Sequence, residues 1–155
     1  MKLNLGCGKI ILEGYVNIDA RKTHENVVVA NVEKLDYEPG SIDEILASDV
    51  YEHISYRKSE EVIKHWVDLL RHGGKLTIRT PNLTAIFRLW HQKHLDTKTT
   101  IAWLFGGQDY KENFHCTCND IELITEYLMN AGIKRNNISQ QVSNVNTNMT
   151  IIAIK

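Results

Sequence analysis

The sequence predicts a doubly wound α/β sheet, mostly parallel, with one reversed strand near its end. Three observations carry that prediction. Short strand-like segments alternate with helical patterns, the first of them runs into Gly6-Cys7-Gly8, and the chain closes on two strand-like segments joined by a short link. At 155 residues, 43% apolar and 24% charged, the composition is that of one ordinary domain spanning 1–155 with enough apolar residues for a core.

The elements follow in order. Lys2 to Leu5 is a short strand, and Tyr15 to Asp19 is a second that alternates and ends on a carboxylate. Val27 to Ala30 is β-branched and apolar, as a buried strand should be. Glu38-Pro39-Gly40-Ser41 is a turn by composition, and Ile42 to Ser48 is the fourth strand. Val62, Ile63, Trp66, Val67, Leu69 and Leu70 then recur at helical spacing, ending at Arg71-His72-Gly73-Gly74 with basic residues and then glycine. Lys75 to Thr80 is a fifth strand stopped by Pro81, and Leu83 to Leu95 is a helix with Ile86, Phe87, Leu89 and Trp90 on its inner side. Residues 97–117 are the least regular stretch. Asn119-Asp120-Ile121-Glu122 is a capping box opening a helix through Ala131 that closes on Gly132. Two strands, about Ile138 to Val145 and Met149 to Lys155, are linked by Asn146-Thr147-Asn148, which implies an antiparallel hairpin.

Composition excludes several functions. Lys and Arg total 18 against 19 Asp and Glu, a net charge of −1, so no broad basic field exists for nucleic acid or membrane binding. No apolar run approaches the roughly 20 residues that span a bilayer. The start of the chain passes directly into a strand and carries no signal-peptide pattern, and the three cysteines form no disulfide framework. The expectation is a cytoplasmic protein with reduced thiols.

Ligands of doubly wound sheets bind beyond the carboxyl ends of the strands, so the residues that follow strands carry the functional argument. Gly6 and Gly8 allow a tight turn and close approach of a ligand, although two nearby glycines usually make no more than a turn. A nicotinamide fingerprint would require a third glycine at position 11, which is Ile11. Asp19 suits the hydroxyl pair of a ribose; the plainer reading is a solvated strand end. Glu52 and His53 lie just past the fourth strand, and His115 lies in the irregular stretch. Unperturbed imidazole titrates near 6.5, which suits a base, but His53 also fits a helix cap and His115 a loop surface. Cys116-Thr117-Cys118 is spaced too tightly for a zinc pair, so no metal site is expected. Arg88 to His94 mixes basic and aromatic residues on what reads as a solvated helix face.

Four segments taken together have a family likeness. Asn-Leu-Gly-Cys-Gly (4–8), Gly-Tyr-Val-Asn-Ile-Asp (14–19), Ser-Ile-Asp-Glu-Ile-Leu-Ala-Ser-Asp-Val-Tyr-Glu-His (41–53) and Leu-Leu-Arg-His-Gly-Gly-Lys-Leu-Thr-Ile (69–78) stand in register. The chain resembles a class I S-adenosylmethionine-dependent methyltransferase, most nearly the small bacterial and phage members. The resemblance covers residues 1 to about 82 well and the remainder loosely.

The resemblance implies a Rossmann-like three-layer sandwich with strand order 3-2-1-4-5-7-6 and S-adenosylmethionine as cofactor, leaving S-adenosylhomocysteine as product. It implies that Gly6, Cys7 and Gly8 face the methionine part, that Asp19 holds the ribose, and that Ala20, Asn31, Val32 and Glu33 meet the adenine. Ser48 and Asp49 would lie beneath the reacting methyl group. Asn31 stands where the family usually has aspartate. Only ten residues separate Gly8 from Asp19, so at most a single helical turn fits between them. Glu52, His53 and His115 are the candidate catalytic residues. The acceptor is expected to be a small molecule or sugar-type metabolite. Residues 97–117 would cover the pocket, with Tyr110 and His115 facing it, the apolar Ile101 to Phe105 shielding the methyl, and Gly106-Gly107 as hinge. The alternative functions are a non-catalytic domain that binds the same cofactor and, less well supported, a nicotinamide oxidoreductase.

Overall fold

The strand segments pair into one seven-stranded sheet. The structure is a computed structural model describing residues 1–142 and 146–155. Its strands are β1 (Lys2–Leu5), β2 (Val16–Asp19), β3 (Val27–Val29), β4 (Ile42–Ser48), β5 (Leu70–Pro81), β6 (Ile138–Val142) and β7 (Asn148–Ile154). Their order is β3-β2-β1-β4-β5-β7-β6, as the resemblance implied, with β7 antiparallel to both β5 and β6. The helices are α1 (Ser59–Leu69), α2 (Leu83–His91), α3 (Thr97–Phe105) and α4 (Ile121–Asn130). The central strands bury one face most completely: Leu3, Leu5, Ile45, Ala47, Leu76 and Ile78 stand in register on the same side of the sheet and are all at most 1% exposed, while Leu46 and Thr77 on the other side are only partly buried. Trp66 of α1 meets Tyr51 edge to face at 6.0 Å within the same core.

Several boundaries differ from the sequence reading. The helix expected to end at Arg71-His72-Gly73-Gly74 stops at Leu69, and those residues open β5. The reason is sheet pairing: Ile42 pairs with Leu70 and Glu44 with Lys75, so the intervening residues form a bulge beside β4. β3 is not a buried strand. Val28 and Val29 are exposed because β3 pairs only with β2 at the sheet edge. Residues 97–105, expected to be irregular, form α3, whose first turn is capped by the Asp96 carboxylate accepting from Thr99 N. α2 ends at His91; Ala85, Ile86 and Leu89 are its buried residues, while Phe87 and Trp90 face solvent. Asp120, not Asn119, caps α4, accepting from Leu123 N at 2.9 Å. The C-terminal hairpin is present, and the part of the expected first strand at 143–145 lies outside the described residues.

The short link between β1 and β2 contains no helix, and side-chain amides hold it instead. Asn4 Nδ2 donates to Asn17 Oδ1 at 2.8 Å across the two strands and to Ile10 O at 3.0 Å. Asn17 Oδ1 also accepts from Leu12 N, and Asn17 Nδ2 donates to Leu12 O and Tyr15 O. Both asparagines are 4% exposed, so their polar atoms depend on these partners. We expect Asn17→Ala to lower stability by about 1–3 kcal/mol, the cost of buried polar groups left unpaired. Urea denaturation of the two chains measures the difference.

Candidate active site

The loops that leave β1, β2, β3 and β4 surround a cavity of about 340 Å³. Gly6 and Gly8 both line it with positive φ (62° and 53°), but for different reasons. A Cβ built on Gly6 would lie 2.5 Å from the Cβ of Val50, so glycine there lets the loop after β4 approach. A Cβ on Gly8 would meet nothing within 4 Å, so that glycine leaves open space at the cavity wall. Cys7 turns away, buried at 5% exposure, and its backbone N–H donates to Ile18 O. Its thiol is raised by burial first and by Asp19 second.

Asp19 ends β2 at the cavity, 8% exposed. Its two oxygens accept from Gly8 N and Arg21 N, each at 2.9 Å, which fixes the carboxylate and leaves further lone pairs on each oxygen. Ala20 and Val32 add apolar wall. The loop after β3 is held from outside by α1 and its approach: Trp66 Nε1 donates to Val32 O, Leu35 N to His65 Nε2, and Lys58 pairs with Glu33 at 2.8 Å. Asn31 Oδ1 accepts from Glu33 N, closing a local turn, and both residues line the cavity.

After β4, Asp49 lines the cavity with φ of 53°, ion-paired with Arg79 and accepting from Asn148 Nδ2 at 3.1 Å. Ser48 does not line it and lies against Asp49. The 3₁₀ turn Tyr51–His53 then points its residues in different directions. Tyr51 enters the core and Glu52 is 3% exposed, while His53 lines the cavity. Burial raises the Glu52 carboxyl to about 7, against its own backbone N–H and a hydrogen bond from Thr80 Oγ1 at 3.1 Å. Glu52 makes no ion pair among the described residues.

Residues 106–118 fold back over this end. Arg21 stacks on the Tyr110 ring at 3.9 Å, and Cys116 N donates to Glu52 O at 2.7 Å. Tyr110 lines the cavity, whereas His115 lines a separate cleft with Trp103 and Lys98. Even so, the His53 and His115 rings stand edge to face at 5.1 Å. His53 Nδ1 lies 3.0 Å from Phe114 O, and His115 Nδ1 lies 2.9 Å from Trp103 O. A carbonyl only accepts, so Nδ1 of each ring carries a proton, and whenever the ring is neutral its Nε2 holds the lone pair. Burial, followed by the neighbouring His53, lowers the titration of His115. Ligand atoms of Glu52, His53 and His115 fall within 4.8 Å of one another, so the three expected catalytic residues form one cluster.

The apolar residues expected to shield the methyl belong to α3 and do not line the cavity; Ile101 and Phe105 face solvent. Gly106 has a positive φ of 81°, and a Cβ there would lie 2.5 Å from Asn113 O, where the chain returns. Sequence reasoning missed Arg21, Val50, Ile54, Lys111, Glu112, Phe114 and Cys116, which complete the wall. Arg21, Val50 and Ile54 adjoin predicted residues, while Lys111, Glu112, Phe114 and Cys116 come from a returning loop whose path has no local signature.

Residues 11–78 match the family model of a methyltransferase domain. No curated protein sequence matches the chain. Among solved structures, an S-adenosylmethionine-dependent methyltransferase from Archaeoglobus fulgidus superposes with a TM-score of 0.71 at 16% identity, covering 99% of this chain and 85% of its own. One from Methanosarcina mazei gives 0.68 at 16%, covering 99% and 91%. The possible histamine N-methyltransferase of Thermotoga maritima gives 0.66 at 13%, covering 99% and 81%. At these identities the likeness is one of fold. Residues 11–78 are thus similar to a methyltransferase domain, and the fold of the chain is the one seen in S-adenosylmethionine-dependent methyltransferases.

The Gly6–Val50 contact yields a test. Gly6→Ala should destabilise by about 1–3 kcal/mol, from the left-handed backbone and the overpacked contact. Val50→Gly in the same chain should return part of that loss, giving a coupling of about 0.5 kcal/mol or more in a double-mutant cycle.

Proposed function

We propose that this chain binds S-adenosylmethionine in the cavity beyond β1, β2 and β4 and transfers its methyl group to a hydroxyl or amine of a small polar or sugar-type acceptor. The observation that carries the reading is the fixed carboxylate of Asp19 beside the open face of Gly8. A rigid acceptor pair next to a backbone with no Cβ fits a ribose with its 5′ side running along the glycine loop. Ala20 and Val32 offer the flat apolar contact an adenine needs, and the Asn31 amide can pair at its edge. S-adenosylmethionine supplies a methyl on a sulfonium, whose C–S bond breaks with its electron pair passing to sulfur as the acceptor's lone pair bonds to carbon.

The chain's own residues then have two tasks. The first is to hold both reactants in line and exclude water, which supplies most of the acceleration in such a transfer. The second is to receive the proton that the acceptor releases. His53 suits that step, because its Nδ1 is tied to Phe114 O and its free Nε2 belongs to a cavity residue. A small acceptor is favoured because a macromolecule would have to displace the 106–118 segment, which the Arg21–Tyr110 stack and the Cys116–Glu52 hydrogen bond hold down.

Asp19→Ala should weaken S-adenosylhomocysteine binding by about 1.5–3 kcal/mol, the worth of hydrogen bonds to a charged group. Calorimetric affinity that does not change would remove the ribose assignment. Hydrogen exchange should fall across residues 106–116 on adding the same ligand, because the segment closes the site; protection confined to 6, 19 and 31 would deny it a covering role. His53→Ala should lower kcat by about 10²–10⁴-fold, the usual contribution of a positioned base, with cofactor affinity little changed. Transfer to candidate sugars and amines, followed by release of S-adenosylhomocysteine, provides the assay.

A further inference from the structure

We propose that Glu52, His53 and His115 form a binding site for one first-row divalent cation beside the cofactor cavity. The inference rests on the location of the acceptor end given above and goes beyond it in naming a metal. Three features of the cluster favour it. The ligand set is two imidazoles and one carboxylate, a combination that suits zinc, iron, manganese or cobalt. Both rings have Nδ1 anchored to a backbone carbonyl, Phe114 O for His53 and Trp103 O for His115. That is how metal-binding histidines are oriented, since the anchored N–H fixes the ring and turns the other nitrogen toward the ion. The third feature is Glu52, a carboxylate buried at 3% exposure whose donors are its own backbone N–H and the Thr80 hydroxyl, with no ion pair among the described residues. A buried carboxylate without a counter-charge is costly, and a cation between it and the two imidazoles relieves that cost.

The spacing is workable. Donor atoms around an ion at about 2.1 Å lie roughly 3.0–3.5 Å apart, and these three fall within 4.8 Å of one another. Both histidines are only partly buried, so small ring rotations close the difference. The 106–118 segment delivers His115 to the pair already set by the turn after β4, so the site exists only when that segment is docked. Three protein ligands leave at least one position open. Since His53 lines the cavity, that position can take an acceptor hydroxyl, whose proton coordination makes easier to lose to solvent. In that state His53 is a ligand and no longer the base.

Cobalt(II) is a direct probe. The chelator-treated full chain, titrated with cobalt chloride near neutral pH, should bind one ion and develop visible ligand-field absorption. His115→Ala and Glu52→Gln should each weaken binding at least 10–100-fold, and His53→Ala serves where either fails to fold by circular dichroism. A Cys116→Ser/Cys118→Ser double variant should bind as the parent does, because the thiols are not in the ligand set. Absence of saturable binding, equal binding by the histidine variants, or loss with the serine variant would overturn the proposal. S-adenosylhomocysteine titrations of the same proteins keep the two readings separate: failure of the nucleoside to bind removes the cofactor assignment without altering the cobalt result. Cobalt failure alongside intact nucleoside binding leaves His53 as the base.

Discussion

The amide pair Asn4–Asn17 is the constraint on which the rest of the site depends. Neighbouring parallel strands of this sheet type are ordinarily connected by a helix that packs on the sheet and sets the loop before it. Here the connection is too short for one, and the two buried asparagines replace apolar packing with hydrogen bonds to each other and to Ile10, Leu12 and Tyr15. The ends of β1 and β2 are thereby fixed with respect to each other. Gly8 N can then meet Asp19 Oδ2 at 2.9 Å, joining the glycine loop to the carboxylate that faces the cavity. Buried polar groups paired in this way favour one geometry, because moving either amide leaves the Asn4 Nδ2 donor or both polar atoms of Asn17 without a partner.

The opposite side of the cavity is assembled by different means. The loop after β3 has little structure of its own and is held by α1 through Trp66, His65 and the Lys58–Glu33 pair. The segment after α3 is held by backbone contacts to Phe105 and Glu52 and by the stack of Arg21 on Tyr110. The cavity therefore has one rigid wall, built on strand ends, and one wall of loops attached at a few points. Such an arrangement suits a site that keeps its cofactor geometry constant while admitting and releasing a second molecule.

Much of the fold was legible because its signals are local. Alternating apolar residues in β1, β2 and β4 and the period of α1 follow from spacing along the chain, and the short link before β7 from the turn residues it contains. The errors came where pairing between distant segments overrode local preference. Arg71 to Gly74 have the composition of a helix end, yet they join β5 because β4 and the C-terminal Lys155 offer backbone partners. Phe87 and Trp90 have the hydrophobicity of core residues, but α2 is short and its buried side is met by Ala85, Ile86 and Leu89.

The sequence by itself determined the sheet, its reversed edge, and the strand-end positions Gly6, Gly8, Asp19 and Asp49, since each of these depends on residues within one strand and the turn that leaves it. Likeness of four segments to a known family supplied the strand order and the cofactor. Only the tertiary structure decided that Gly6 is needed for Val50, that Tyr110 lies over Arg21, and that His115 reaches His53 and Glu52 from more than sixty positions along the chain. The physical reason is that these contacts join segments whose separation in sequence carries no periodic signal. They form only after the sheet has brought β4 and the segment following α3 to the same end.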